Sequence, residues 1–355
     1  MSATFGQNFK ITLFGESHAE AIGAVIDGVP AGVRLDTGFI ADEMRRRAPG
    51  GDLSTPRKEA DEARILCGVK DGVTEGTPIA AVIFNTDTKS SDYSQLERLM
   101  RPGHADYGYF VKYGGHNDVR GGGASSGRLT APLVFAGAIA KQLLAEKGIA
   151  VGAHITRVAD VCDSKFGARV DAAMFDRLRG MRLPTLDEGV SDSMRAAIEA
   201  ARADGDSVGG AIECAVVGVP AGVGEPFFDS VESRISALAF SVPAVKAIAF
   251  GKGYELCGMR GSEANDSLYF DGDVVRARTN NNGGVIGGIT DGMPIVFEVA
   301  IKPTASVFKT QDTVDVVEKK DAKLTLKGRH DPCIVTRAVP VIEAVAAIVV
   351  CDLMR

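Results

Sequence analysis

At 355 residues, with 45% hydrophobic and 24% charged side chains, the chain can bury a large core, which excludes a disordered or low-complexity protein. Its 40 Lys and Arg against 46 Asp and Glu leave a net charge of −6, so bulk charge gives a nucleic-acid partner no support. Six cysteines, at 67, 162, 214, 257, 333 and 351, form no CxxC pair, which argues against zinc ribbons and disulfide scaffolds and for reduced thiols in a cytoplasm.

The opening MSATFGQNFKITLFGE lacks the charged-then-apolar layout of an export signal, and no run reaches the roughly 18 apolar residues of a membrane span. Residues 10–14 (KITLF) read as a strand entering Gly15-Glu16-Ser17-His18, and 21–29 (AIGAVIDGV) as a second strand, so His18 sits at a strand-to-turn junction. Residues 37–47 place Phe39, Ile40 and Met44 on one helix face and mass Arg45, Arg46 and Arg47 at the helix end. Pro49-Gly50-Gly51 stops that helix, and ARILCGV and PIAAVIFN (78–85) read as strands.

Residues 101–130, RPGHADYGYFVKYGGHNDVRGGGASSGRLT, have the composition of a site. Arg101, His104, Asp106, His116, Arg120 and Arg128 surround three tyrosines and Gly121-Gly122-Gly123, whose amides a ligand can approach closely. Thr130 is placed to cap, and Pro132 to open, the apolar helix LVFAGAIAKQLL. A glycine-rich loop feeding a helix N-terminus suits an oxyanion, phosphate first among them. Neither a P-loop Gly-Lys-Ser/Thr nor a GxGxxG after a strand is present, so no nucleotide fingerprint applies.

Further on, VGAHITRVADV (151–161) reads as a strand and 194–205 as a helix ending at Gly205. NNNGGVIGGI (280–289) is a glycine-rich bend that lets a flat ligand reach the backbone. Lys302-Pro303-Thr304-Ala305-Ser306, after the strand PIVFEVAI, offers a cation and two hydroxyls at a turn. GRHDPC sets Asp331 beside His330, able to orient, to protonate or to pair with Arg329.

The two ends of the chain echo each other. AIGAVIDGVPAGV (21–33) returns as AIECAVVGVPAGV (211–223), GVTEGTPIAAVIF (72–84) as GITDGMPIVFEVA (288–300), and the central loop and helix more loosely as residues 328–354. Three echoes in one order predict a duplication: one domain, 1–355, of two related halves at about 1–150 and 205–355, with both basic loops facing a shared cleft. No linker composition separates the halves.

Guanidinium forks pair bidentately with oxyanions, so Arg47, Arg120, Arg128 and Arg337 are the candidate phosphate ligands. For the triplet 45–47 taken alone, a solvated helix end complementing the C-terminal dipole is the better reading. His18 and His104, in glycine-bounded loops, can exchange protons near neutral pH or serve as structural hydrogen-bonders. No HExxH or paired Cys/His spacing appears, so no metal is expected. On these residues alone a phosphate-ester hydrolase using His18 and His104 stays open.

The strings GESH, IDGVP, RPGHADY, RGGG-x-SS, GVPAG, NNxGGxxGGI, KPT-x-S and GRHDPC-x-x-x-RAVPV-x-EA run in one order nearly end to end, and in that order the chain resembles the chorismate synthases. The resemblance implies an α+β fold, a β-α-β sandwich with internal pseudo-twofold duplication, assembled as a homotetramer. It implies conversion of 5-enolpyruvylshikimate 3-phosphate to chorismate and phosphate, an anti-1,4-elimination that requires reduced FMN. His18 would then ease phosphate departure, His104 would protonate reduced flavin near N1, and Asp331 would stand near flavin N5 to help remove a proton. Flavin contacts would be Ser125, Ser126, Pro243, Ala244, Gly287, Lys302, Pro303, Thr304, Ala305, Ser306 and Arg329. Arg47, Arg120, Arg128 and Arg337 would serve the substrate phosphate or NADP. The chain departs from the family where Ala124 and Leu129 replace an arginine and a glutamate, at Ala19-Glu20 after His18, and at Leu53. The alternative these departures raise is a flavin- or phosphate-binding homologue with impaired turnover.

Overall fold

The computed structural model describes residues 3–50, 53, 61–86, 95–326 and 330–354. Alternating and continuous apolar runs build two five-stranded antiparallel sheets. The first has the order Thr4–Phe5, Lys10–Gly15, Ala21–Asp27, Ile79–Phe84, Arg64–Cys67. The second has the order Val161–Cys162, Ala150–Val158, Gly210–Val217, Ile295–Ile301, Val245–Phe250. In each sheet the third and fourth strands are those carrying the first two sequence echoes, Ala21–Asp27 beside Ile79–Phe84 and Gly210–Val217 beside Ile295–Ile301.

Between the sheets lie the helices Thr130–Ala145 and Val335–Leu353, buried around nearly their whole circumference, as helices apolar on every face must be. The first packs on the first sheet, the second on the second sheet, and they pack on each other, giving an α+β sandwich. Their approach is close at Gly137, where an added Cβ would stand 2.2 Å from Ala344 Cβ and 2.6 Å from its Cα. Gly137→Ala should therefore lower unfolding free energy by about 1–3 kcal/mol through overpacking, despite alanine's better helix propensity. Denaturant titration reads this, and an unchanged midpoint would contradict the close approach.

Several boundaries differ from the sequence expectation. The apolar stretch 151–161 is two strands, Ala150–Val158 and Val161–Cys162, because Ala159 takes a positive φ of 52° and turns the chain. The helix expected at 194–205 is Glu188–Ala203, its start set by Asp187 capping Gly189 N. Thr130 is not the N-cap of its helix; Leu129 is, without a side-chain bond, and Thr130 Oγ1 donates to Gly127 O and accepts from Arg47 Nε.

The elements aim their ends at one region. Lys10–Gly15 leads into His18, Ile295–Ile301 leads into Lys302, and the first turn of Val335–Leu353 carries Arg337. The glycine bend lies at the opposite end of the second sheet. Gly284 packs on Pro294, which precedes the strand that Lys302 follows, so the structure does not bring Gly287 to the other expected flavin contacts.

Candidate active site

Arg101-Pro102-Gly103-His104 forms a turn closed by His104 N donating to Arg101 O at 3.2 Å, with Gly103 at φ 68°, as a Pro-Gly turn requires. The turn leads into the helix Asp106–Tyr113, in a stretch whose glycines and polar residues read as loop. His104 Nδ1 lies 2.6 Å from Asp106 Oδ1. Asp106 is in turn gripped at two points by Arg101, Nε to Oδ2 at 2.7 Å and Nη2 to Oδ1 at 2.8 Å.

His18 is buried at the end of its strand, with Nδ1 3.3 Å from Ser17 Oγ, which donates to Arg120 O. Asn85 holds this turn shut: Nδ2 donates to Glu16 O and Ala19 O at 3.0 and 2.8 Å, while its Oδ1 accepts from Arg128 Nε at 3.0 Å. Asn85→Ala would leave two carbonyls and a guanidinium short of partners. It should cost about 1–3 kcal/mol of stability and raise KM, read by thermal unfolding and by kinetics on the folded fraction. A variant with wild-type KM and stability would remove Asn85 from the site.

The glycine run brings the two histidines together. A Cβ on Gly121 would fall 2.4 Å from His18 Cε1, and one on Gly122 would fall 3.4 Å from His104 Cε1 and Nε2. Both glycines have positive φ, so two consecutive residues without side chains are flanked by the two imidazoles.

Around this pair the arginines are ordered by carboxylates. Asp61, buried, pairs with Arg47 Nη1 at 2.7 Å and with Arg128 Nη1. Burial would raise the Asp61 carboxyl, but Arg47 and Arg128 together hold it below the ordinary range. Arg120 pairs with Asp118 at 2.7 Å and holds that carboxyl low, with His18 adding to the effect. Arg337 Nη1 pairs with Asp331 at 2.6 Å and its Nε donates to Arg47 O at 3.0 Å. A continuous polar chain therefore runs from Asp331 through Arg337, Arg47, Asp61 and Arg128 to Asn85 and the His18 turn. Arg46 and Arg47 are not a solvated helix end. Both point inward because buried positions Ile40, Glu43, Met44 and Arg47 fall on one helix face.

The second half closes the site from the other side. Lys302 Nζ donates to Gly103 O at 2.5 Å, and its backbone N donates to Ala244 O, next to Pro243. Burial and the nearby Lys246 push the Lys302 ammonium below its ordinary pKa. Ala305 faces Gly103, Ser306 is buried beside Asp331, and Thr304 Oγ1 is buried without a hydrogen-bond partner among the described residues. Ser125 and Ser126 spend their hydroxyls inside their own turns, Ser125 Oγ donating to Gly122 O and Ser126 Oγ accepting from Arg128 N. Arg329 lies outside the described residues. A large cleft of about 1220 Å³ opens on another side of Arg337, between the Thr37–Arg47 and Ala172–Gly180 helices, and holds no histidine. The candidate chemistry stays with the histidine pair, where two imidazoles flank consecutive glycines.

A family model described as "Chorismate synthase" matches residues 9–354. The chain belongs to the chorismate synthase family. A chorismate synthase of Archaeoglobus fulgidus is 45% identical over 353 residues, covering 99% of this chain and 96% of that one. One of Azobacteroides pseudotrichonymphae is 45% identical over 352 residues, with 98% of each covered. A solved structure titled "Crystal Structure of Chorismate Synthase" superposes with a TM-score of 0.77 at 26% identity, covering 99% of this chain and 92% of that one. The family's enzymes are lyases acting on a small-molecule substrate, and this member is one of them. Among the described residues no helix is long and apolar enough to cross a membrane.

Sequence reading missed three residues that order the candidate arginines. Asp61 and Asn85 carry no local signal, since their partners lie 14 to 69 residues away. Asp118 stands two residues before Arg120, a spacing that could have marked it.

Proposed function

We propose that the chain carries out the anti-1,4-elimination of phosphate from 5-enolpyruvylshikimate 3-phosphate to give chorismate, with reduced FMN bound beside the histidine pair. The carrying observation is the placement of His18 and His104 on consecutive glycines inside a shell of ordered arginines. The residues fit a flavin: Thr304 Oγ1 is buried without a hydrogen-bond partner among the described residues, and a partly desolvated Lys302, two residues earlier, faces His104's turn. When bound, reduced FMN supplies an electron-rich ring that offsets the positive charge developing as phosphate leaves.

In this reading Arg47, Arg120, Arg128 and Arg337 hold the phosphate and carboxylate oxygens, and His18 donates a proton as phosphate departs. His104 exchanges a proton at Nε2 on the flavin side. Asp331, held by Arg337, accepts the proton lost from the ring carbon. Lys302 to Ser306, Pro243, Ala244, Ser125, Ser126 and Arg329 line the flavin, while Gly287 lies away from this lining. A homotetramer gains support from exposed Phe228, Phe270 and Tyr254, and a cytoplasmic setting from six free cysteines. The order of the two central strands in both sheets supports an ancestral duplication.

Oxygen-free incubation with reduced FMN and substrate tests the reading: chorismate should accumulate. Binding without product would support the impaired homologue instead, with Ala124 and Leu129 the suspects. Phosphate release without flavin would favour the hydrolase.

A further inference from the structure

We propose that Asp106 is the positioning residue of His104: by accepting the Nδ1–H it fixes the ring's tautomer and plane, leaving Nε2 as the nitrogen offered to the ligand. The distances carry it. Asp106 Oδ1 is 2.6 Å from Nδ1, whereas Nε2 and Cε1 are the ring atoms beside Gly122. An ionised carboxylate cannot donate, so a ring nitrogen at that distance must hold the proton.

Three further bonds keep Asp106 ionised and still. Arg101 donates through Nε and Nη2, and its backbone N reaches Oδ2 at 3.0 Å, so the carboxylate takes four donors with His104 included. Asp106 is also the first residue of its helix, where the backbone amides favour negative charge. Burial opposes ionisation, but Arg101 and His104 more than offset it and hold the carboxyl far below its ordinary range. Arg101 is 4% exposed, so the grip is shielded from water. The device serves the His104 role proposed above, but the tautomer is a property of the chain alone and can be measured without cofactor or substrate.

The test uses the full chain labelled with 15N-histidine, in which His104 is one of five histidines and is assigned by its loss in His104→Gln. A long-range proton–nitrogen correlation on the alkaline side of the ring's titration should show Nδ1 protonated and Nε2 bare. A neutral ring protonated on Nε2 would overturn the proposal, and this measurement needs no Asp106 variant to fold. In the kinetic arm, Asp106→Asn should lower kcat about ten- to a hundredfold with little change in KM, the range for a residue acting through another. In the His104→Gln background the same change should cost less than twofold. Equal losses in both backgrounds would make Asp106 merely structural. Should His104→Gln itself retain full turnover, the role given to His104 fails, while the wild-type tautomer still decides the place of Asp106.

Discussion

His18→Ala and His104→Ala should each lower chorismate formation by about a hundred- to ten-thousandfold in an oxygen-free assay with reduced FMN supplied, the range over which positioned proton donors and acceptors accelerate reactions. The two losses should differ in kind. His18 lies against Gly121 and the Ser17–Arg120 contact, the side proposed for the phosphate, so its removal should slow phosphate release directly. His104 lies against Gly122 and follows Gly103, whose carbonyl accepts from Lys302, the side proposed for the flavin, so its removal should also alter how reduced FMN binds, visible as a changed absorbance spectrum on titration without substrate. His18 is buried and His104 partly buried, but neither is part of the apolar core, so folding should survive both replacements. Unchanged rates in both variants would end the assignment of proton transfer to this pair. Equal binding spectra with unequal rates would keep the pair and reassign the sides.

The region of this site was legible in the sequence, whereas its wiring was not. Residues 101–130 declare themselves by composition, and the GESH junction by a strand running into a turn, because both signals are local. The doubled order of strands was legible for the same reason: 21–33 and 211–223 repeat a pattern, and each became the middle strand of its own sheet. What stayed hidden depends on pairing across the fold. Arg47 reads as a helix end until Asp61 and Thr130 are seen around it. Thr130 reads as a cap because a threonine before an apolar run normally is one, and a buried guanidinium claims its hydroxyl instead. Asp331 was open between several partners and found Arg337, six residues on in the first turn of the helix that follows, since that geometry also anchors Arg337 on Arg47 O. Gly287 belongs to a string that reads as one motif with the others, yet seven residues of extended strand carry it to the opposite end of the sheet.

The largest effect on stability is expected at Glu343, in the middle of the buried helix Val335–Leu353. Its carboxylate takes Arg46 at 2.6 and 2.8 Å, Lys141 at 2.5 Å and the amide of Ala153 at 3.2 Å, while Glu43 shares both cations and also meets Arg179 at 3.0 Å. Glu343→Gln leaves Arg46 and Lys141 facing one buried carboxylate, and loss of one partner from such a cluster costs about 3–5 kcal/mol. The acid response follows from the same contacts. Burial alone would raise this carboxyl, but Arg46 and Lys141 hold it at about 2 in the folded chain, below its ordinary 4.5. A carboxyl lowered by folding stabilises the fold above its ordinary value and loses that contribution as pH falls toward 2. Wild-type unfolding free energy should therefore drop between about pH 5 and pH 2, and Glu343→Gln should show a shallower drop from a lower start. Parallel curves, or a more stable variant, would mean that desolvation of the cluster outweighs its attraction. The consequence reaches the site, because Arg46 and Arg47 leave adjacent positions of one helix end. With Arg46 released from Glu343, the turn that delivers Arg47 to Asp61 loosens, and KM should rise along with the fall in stability.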